Sequence, residues 1–172
     1  MVNVLRRSPL AGRESDLERL GVHDPTIATQ LSVRTRTPAA LGLPAEPNTW
    51  SVLERPAMCE ALWLGPDEWL IVSSDPRDVV GAAFEIAASL VDVSANRVAI
   101  DLPRDEGGDP RDLLEQGCSI DLDPRSWLEG TCAQTLLARV PVLLQERGDA
   151  VRILARPSYA NWLIDWLLAV SA

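Results

Sequence analysis

The sequence predicts an α+β fold, antiparallel sheets with helices packed on them. Three observations carry this. Short runs of apolar residues alternate with polar ones at strand spacing. Glycine-centred turns such as Gly65-Pro66-Asp67 and Gly148-Asp149 join neighbouring runs as hairpins. Only a few segments open with a helix-starting signal, and these follow runs of strands rather than alternating with each one.

In chain order, Arg13–Gly21 reads as a short helix and Ala28–Arg36 as a strand, with Leu31 and Val33 on one side. Pro38, Pro44 and Pro47 then predict an extended crossing or linker, because proline removes a backbone donor and fixes φ. Trp50–Glu54, Glu60–Leu64 and Glu68–Ser73 read as strands. Asp75-Pro76-Arg77-Asp78 opens a helix whose apolar face runs from Val79 through Ala83 and Ile86 to Leu90. Val91–Val93 and Arg97–Leu102 flank Ser94-Ala95-Asn96; Val98, Ile100 and Leu102 face one way, Arg97, Ala99 and Asp101 the other. Asp109-Pro110-Arg111-Asp112 repeats the helix opening, and Gly117 is placed as that helix's C-terminal cap. Asp123-Pro124-Arg125-Ser126 starts at most one turn. Cys132–Ala138, Val140–Gln145 and Val151–Ala155 are strands, and Ser158 caps a last helix using Leu163, Trp166 and Leu167. The strands followed by Asp-Pro-Arg-Asp, twice, form a weak internal echo. The division expected from this pattern is an irregular N-terminal arm over residues 1–48 and a compact module over residues 49–172.

The composition narrows the function. Of 172 residues, 47% are apolar, enough for a core without metal or disulfide help. No run of about 18 uncharged apolar residues exists, so no membrane helix is expected, and the first twelve residues lack a secretory pattern. The expected compartment is the cytoplasm. The net charge of −9 disfavours nucleic acid. It is uneven: residues 1–36 hold six arginines against four acids, a basic start on an acidic body, as for an arm lying on another surface or a solvated tail. Every basic residue is arginine, which excludes Schiff-base and phosphate-loop lysines.

No catalytic constellation emerges. His23 is the only histidine, and it reads as a surface residue in the arm. Cys59, Cys118 and Cys132 have no metal-ligand spacing and read as reduced thiols. Gly107-Gly108 does not make a dinucleotide loop, and its acidic neighbours would repel phosphate. Asp101, Asp105, Glu106, Asp109, Asp121 and Asp123 lack a calcium-loop register and read as caps and solvated loops. Trp50, Trp63, Trp69, Trp127, Trp162 and Trp166 stand out against one tyrosine and one phenylalanine; some of that area is available to a partner. No catalytic, cofactor-binding or metal residue is therefore assigned.

Several strings resemble the sarcosine oxidase gamma subunit family. They are Leu62-Trp63-Leu64-Gly65-Pro66-Asp67-Glu68-Trp69-Leu70, Val91-Asp92-Val93-Ser94-Ala95-Asn96-Arg97, the segment 113–122 around Gly117-Cys118, Cys132-Ala133-Gln134-Thr135 and Arg156-Pro157-Ser158-Tyr159-Ala160-Asn161-Trp162. With Ser8-Pro9-Leu10 they run in order along nearly the whole chain. The resemblance implies a pseudo-duplicated folate-binding-like module, akin to aminomethyltransferases. It also implies a complex with alpha, beta and delta subunits that converts sarcosine to glycine, with tetrahydrofolate as the one-carbon acceptor. FAD, FMN, NAD and zinc are then expected in the other subunits, with none in this chain. No residue here matches a catalytic aspartate or a pterin-binding acid of that superfamily. The function expected is a non-catalytic gamma subunit supporting assembly; the alternative is a folate-binding or aminomethyltransferase-like protein acting alone.

Overall fold

The computed structural model describes residues 8–22, 29–53, 59–74, 88–105 and 108–171. Its elements in chain order are α1 (Glu14–Arg19), β1 (Thr29–Arg34), a 3-10 turn (Pro38–Leu41), β2 (Trp50–Leu53), β3 (Cys59–Gly65), β4 (Glu68–Ser73), β5 (Ser89–Asp92) and β6 (Val98–Pro103), then α2 (Pro110–Leu114), β7 (Cys132–Leu137), β8 (Val140–Glu146), β9 (Ala150–Ala155), a 3-10 turn (Pro157–Tyr159) and α3 (Ala160–Val170). The strands form two antiparallel sheets, ordered β2-β3-β4-β1-β5 and β6-β9-β8-β7.

The two orders share one four-strand arrangement, β2-β3-β4-β1 and β7-β8-β9-β6, and the first sheet adds β5 beyond β1. In each half a first strand (β1, β6) leaves the sheet, a three-strand meander follows (β2-β3-β4, β7-β8-β9), and the first strand pairs with the last of the meander. The α+β expectation and the internal duplication both hold. The sequence echo, however, does not mark the repeat. Asp75-Pro76 lies in the chain after β4, whereas Asp109-Pro110 lies after β6, the first strand of its half. Those positions are not equivalent in the repeat; at the second, the Asp109 carboxylate accepts the Arg111 N–H and Pro110 occupies the first turn of α2. The helix predicted from Asp75 lies mostly outside the described residues. Its last predicted face residue, Leu90, belongs to β5 and pairs with Val33. Ser94-Ala95-Asn96 is not a hairpin turn either. It carries the chain from the first sheet (β5) to the second (β6).

Strand alternation gives each sheet an outer and an inner face. The outer face of the second sheet (Val98, Ile100, Val142, Leu144, Ile153) packs on Leu163, Ile164 and Leu167 of α3. The outer face of the first (Val33, Ala61, Trp69, Ile71) packs under Leu41 and Leu43. The inner faces meet through Leu62, Leu70 and Val72 against Ala99, Cys132, Leu143 and Leu154. Each apolar residue so placed is removed from water on one side of a pleated surface, which fixes register, because a one-residue slip would invert it.

The described residues 8–22 and 29–48 pack against this body. β1 lies between β4 and β5, Leu41 and Leu43 complete a core, and the Trp69 indole donates to the Pro44 carbonyl at 2.9 Å. Leu10 and Val22 are buried in the α3-side core, and Arg13 bridges to Asp165 of α3 at 2.6 Å. The prolines at 38 and 44 do not make a linker here. They shape a turn that leaves two leucines over the sheet, and this burial outweighs the lost donors.

Gly117 has a role other than helix capping. α2 ends at Leu114, and an ideal Cβ on Gly117 would stand 2.5 Å from Cζ2 of Trp166. The glycine lets the loop approach the indole. Gly117→Ala is expected to destabilise the fold by about 1–3 kcal/mol through overpacking, read as a lower urea midpoint with unchanged slope.

Candidate functional site

Alternation also sends charged residues into the space between the sheets. Asp101 and Arg152 stand directly across β6 and β9, and the guanidinium holds the carboxylate with two bonds of 2.7 and 2.8 Å. Arg152 then reaches across to Glu60 of β3 at 3.0 Å. Glu60 also accepts from Gln145 at 3.0 Å and pairs with Arg147, whose guanidinium lies over the Trp50 ring. Burial works against the Arg152 charge. The bond to Asp101 and the fields of Asp101, Glu60 and Asp149 more than offset it, so its pKa is raised. The cluster holds two arginines and two carboxylates, and its net charge is zero.

A second closed cluster lies near the β8–β9 hairpin. Arg104 bridges the buried Glu146, at 3.1 and 3.2 Å, to Asp109 at 3.3 Å, and Asp109 also binds Arg111. Arg111, then Arg104, hold the Asp109 carboxyl far below the usual carboxylate range. This cluster too contains two cations and two anions. It pins the loop after β6 and the start of α2 to the hairpin. Every carboxylate of the two sets is paired with an arginine, while the buried Arg104 Nε makes no hydrogen bond to any described residue.

The sequence-predicted candidates scatter. His23 and Glu106-Gly107 lie outside the described residues. Among the acids, Asp109 and Asp123 are local caps, each accepting the N–H two residues on, and Asp105 is exposed. Asp101 departs from the cap-and-loop reading, being bound to Arg152 between the sheets. The thiols are free; burial, then the Glu60 charge, pushes Cys59 up to about 11, and burial pushes Cys132 up to about 12. Such thiols are poor nucleophiles at neutral pH. Among the described residues, no group of His, Cys, Asp or Glu is arranged to hold a metal. No described helix is long and apolar enough to cross a membrane.

The tryptophans divide by role. Trp69 and Trp127 are buried core, and Trp50 and Trp63 are half-buried at the sheets. Trp166 packs on the core and on Gly117. Trp162 is 56% exposed, its indole donating to the Ala138 carbonyl at 3.3 Å. Nearby chain segments add Leu136 and Tyr159 as exposed apolar residues.

One open cleft, of about 520 Å³, lies on this side of the molecule. Its polar lining is Asn96 and Arg97, Ser119, Gln134 and Thr135, and Arg156, with Leu136 among its apolar walls. Arg97 and Arg156 were not singled out from the sequence as site residues. The signal was present in the alternation: Val98 pairs with Ala155, so the next pair outward is Arg97 against Arg156 on the inner face. Burial, then the charge of Arg156, lowers the pKa of Arg97.

Comparison with known proteins gives the family. A family model described as "Sarcosine oxidase, gamma subunit family" matches residues 28–172. The chain belongs to this family. It is 30% identical to the sarcosine oxidase subunit gamma of Corynebacterium sp. (strain U-96), across 95% of this chain and 89% of that one. Among solved structures it is similar to a chain of heterotetrameric sarcosine oxidase from Corynebacterium sp. U-96 in complex with pyrrole 2-carboxylate. That match has a TM-score of 0.81 at 29% identity and covers 97% of this chain and 95% of that chain. A likeness to glycine cleavage system aminomethyltransferase T from Bartonella henselae, TM-score 0.55 at 11% identity over 81% of this chain and 43% of that one, concerns the fold alone. Within this gamma-family chain, the strings that carry the resemblance have structural positions. Leu62–Leu70 forms the β3–β4 hairpin, which supplies Leu62 and Leu70 to the inner core and Trp69 to the outer one. The other four, Val91–Arg97, Leu113–Leu122, Cys132–Thr135 and Arg156–Trp162, each contribute polar lining to the cleft.

Proposed function

We propose that this chain is the gamma subunit of a heterotetrameric sarcosine oxidase, a cytoplasmic assembly subunit with alpha, beta and delta partners and no reaction step of its own. The complex would oxidise sarcosine to glycine and pass the one-carbon unit to tetrahydrofolate, with FAD, FMN, NAD and zinc held by the other chains. The observation that carries the non-catalytic reading is the state of the interior charges. Glu60, Asp101, Arg147 and Arg152 form one neutral closed set, and Glu146, Asp109, Arg104 and Arg111 another. A general acid or base needs a group poised near the working pH and within reach of substrate. Carboxylates tied to arginines, and thiols pushed up to about 11 and about 12, are the opposite arrangement.

Co-expression tests this. Alpha, beta and delta chains produced with and without this chain should differ in yield of the assembled oxidase and in peroxide release from sarcosine. The isolated chain should release none. Peroxide formation by the isolated chain, or full assembly and turnover in its absence, overturns the proposal.

A further inference from the structure

Arg97 and Arg156 lie outside both closed sets of ion pairs. Arg97 and Arg156 form no ion pair and donate no side-chain hydrogen bond to any described residue. On the same two-strand ladder, Asp101 and Arg152 are opposite charges directly across and bind each other. Two steps outward the register sets arginine against arginine. Like charges in that position are destabilising, and burial of Arg97 raises the cost. The acid whose field bears on Arg97 is Glu68, which is already engaged by Arg34 at 2.7 Å and by the Ser32 hydroxyl at 3.0 Å. On a protein of net charge −9, this cationic cleft is therefore not balanced by an ion pair with any described residue.

We propose that this cleft seats an acidic segment of another subunit, with a carboxylate entering between Arg97 and Arg156 and apolar side chains lying on Leu136, Tyr159 and Trp162. Charge complementarity names the occupant's anion. The flank names a protein rather than a small solute: Leu136 lines the cleft, Tyr159 donates its N–H to the Arg156 carbonyl, and Trp162 bonds the Ala138 carbonyl two residues past Leu136, and exposed aromatic area with arginine is enriched at interfaces. The guanidinium groups supply planar donors matched to a carboxylate. This inference rests on the subunit role proposed above and specifies a surface for it.

The test uses the co-expressed complex, with a tag on a partner subunit and retention of this chain measured against salt. Wild type is expected to be retained and to weaken as salt rises. R97E/R156E is expected to lose affinity on the order of 100-fold, R97Q/R156Q to lose less, and Arg125→Glu, on a solvent-exposed turn, to match wild type. The isolated R97Q/R156Q chain should melt no lower than wild type, since neither arginine bonds a described residue through its side chain and the like-charge pair is removed. Retention of R97E/R156E equal to wild type overturns the cleft assignment and leaves the subunit role standing. Failure of wild type itself to be retained overturns the subunit role and this inference together. Tight calorimetric binding of citrate by the isolated chain, lost in R97E/R156E while assembly persists, assigns the cleft to a small anion and overturns the acidic segment.

Discussion

Arg152→Ala is expected to cost about 3–5 kcal/mol, enough to abolish most of the stability of a domain this size. The side chain is only 9% exposed and bonds two carboxylates from different sheets, Asp101 of β6 and Glu60 of β3. Deleting it does not merely remove two bonds. It strands Asp101, whose carboxylate has no other ion-pair partner among the described residues, in a space that water does not freely enter. A double-variant comparison separates that account from simple loss of packing. R152A/D101A should be less damaged than the sum of its single variants, because the second change removes the stranded charge. Additive single effects would show that the guanidinium acts only by filling space.

Trp69→Ala is expected to cost a comparable amount, about 3–5 kcal/mol. Trp69 is 1% exposed on the outer face of the first sheet, against Val33, Ile71 and Leu43. Its indole N–H also ties the Pro44 carbonyl to β4. Trp69→Phe keeps a ring but drops that donor, so it should lose less, on the order of 1–2 kcal/mol. If Trp69→Phe and Trp69→Ala unfold at the same urea midpoint, the crossing over residues 38–44 is held by something other than this indole.

The elements legible in the sequence are those whose turns carry their own signature. The β3–β4 hairpin follows from Gly65-Pro66-Asp67, and β8–β9 from Gly148, which sits at φ +84. The β7–β8 turn was less plain because Ala138 and Arg139 occupy it, both at positive φ (49 and 67), where glycine or asparagine is the usual choice. Tertiary contacts hold it instead: the Ala138 N–H donates to the Gly117 carbonyl, and its own carbonyl accepts from Trp162. The proline-rich crossing misled for the opposite reason. Local rules read it as a linker, while Leu41 and Leu43 are buried by a sheet whose closing strand, β1, comes earlier in the chain. Sheet order of this kind rests on pairings between distant residues, such as Thr29 with Ser73, and no local pattern encodes them. The same limit hid the cleft. Arg97 was correctly placed opposite in face to Val98, but its partner Arg156 lies on a strand with no neighbouring position in the sequence.

The repeated topology bears on how the chain is made. Ribosomal synthesis delivers β1 to β5 first, a sheet whose Leu62, Leu70 and Val72 have nothing to rest on until β6 to β9 emerge. Glu60 meanwhile awaits Arg147 and Arg152, which emerge only with the β8–β9 hairpin. A nascent first half thus shows a bare greasy face with a lone negative charge in it, so premature release or truncation near residue 97 should yield aggregates rather than a stable half-protein.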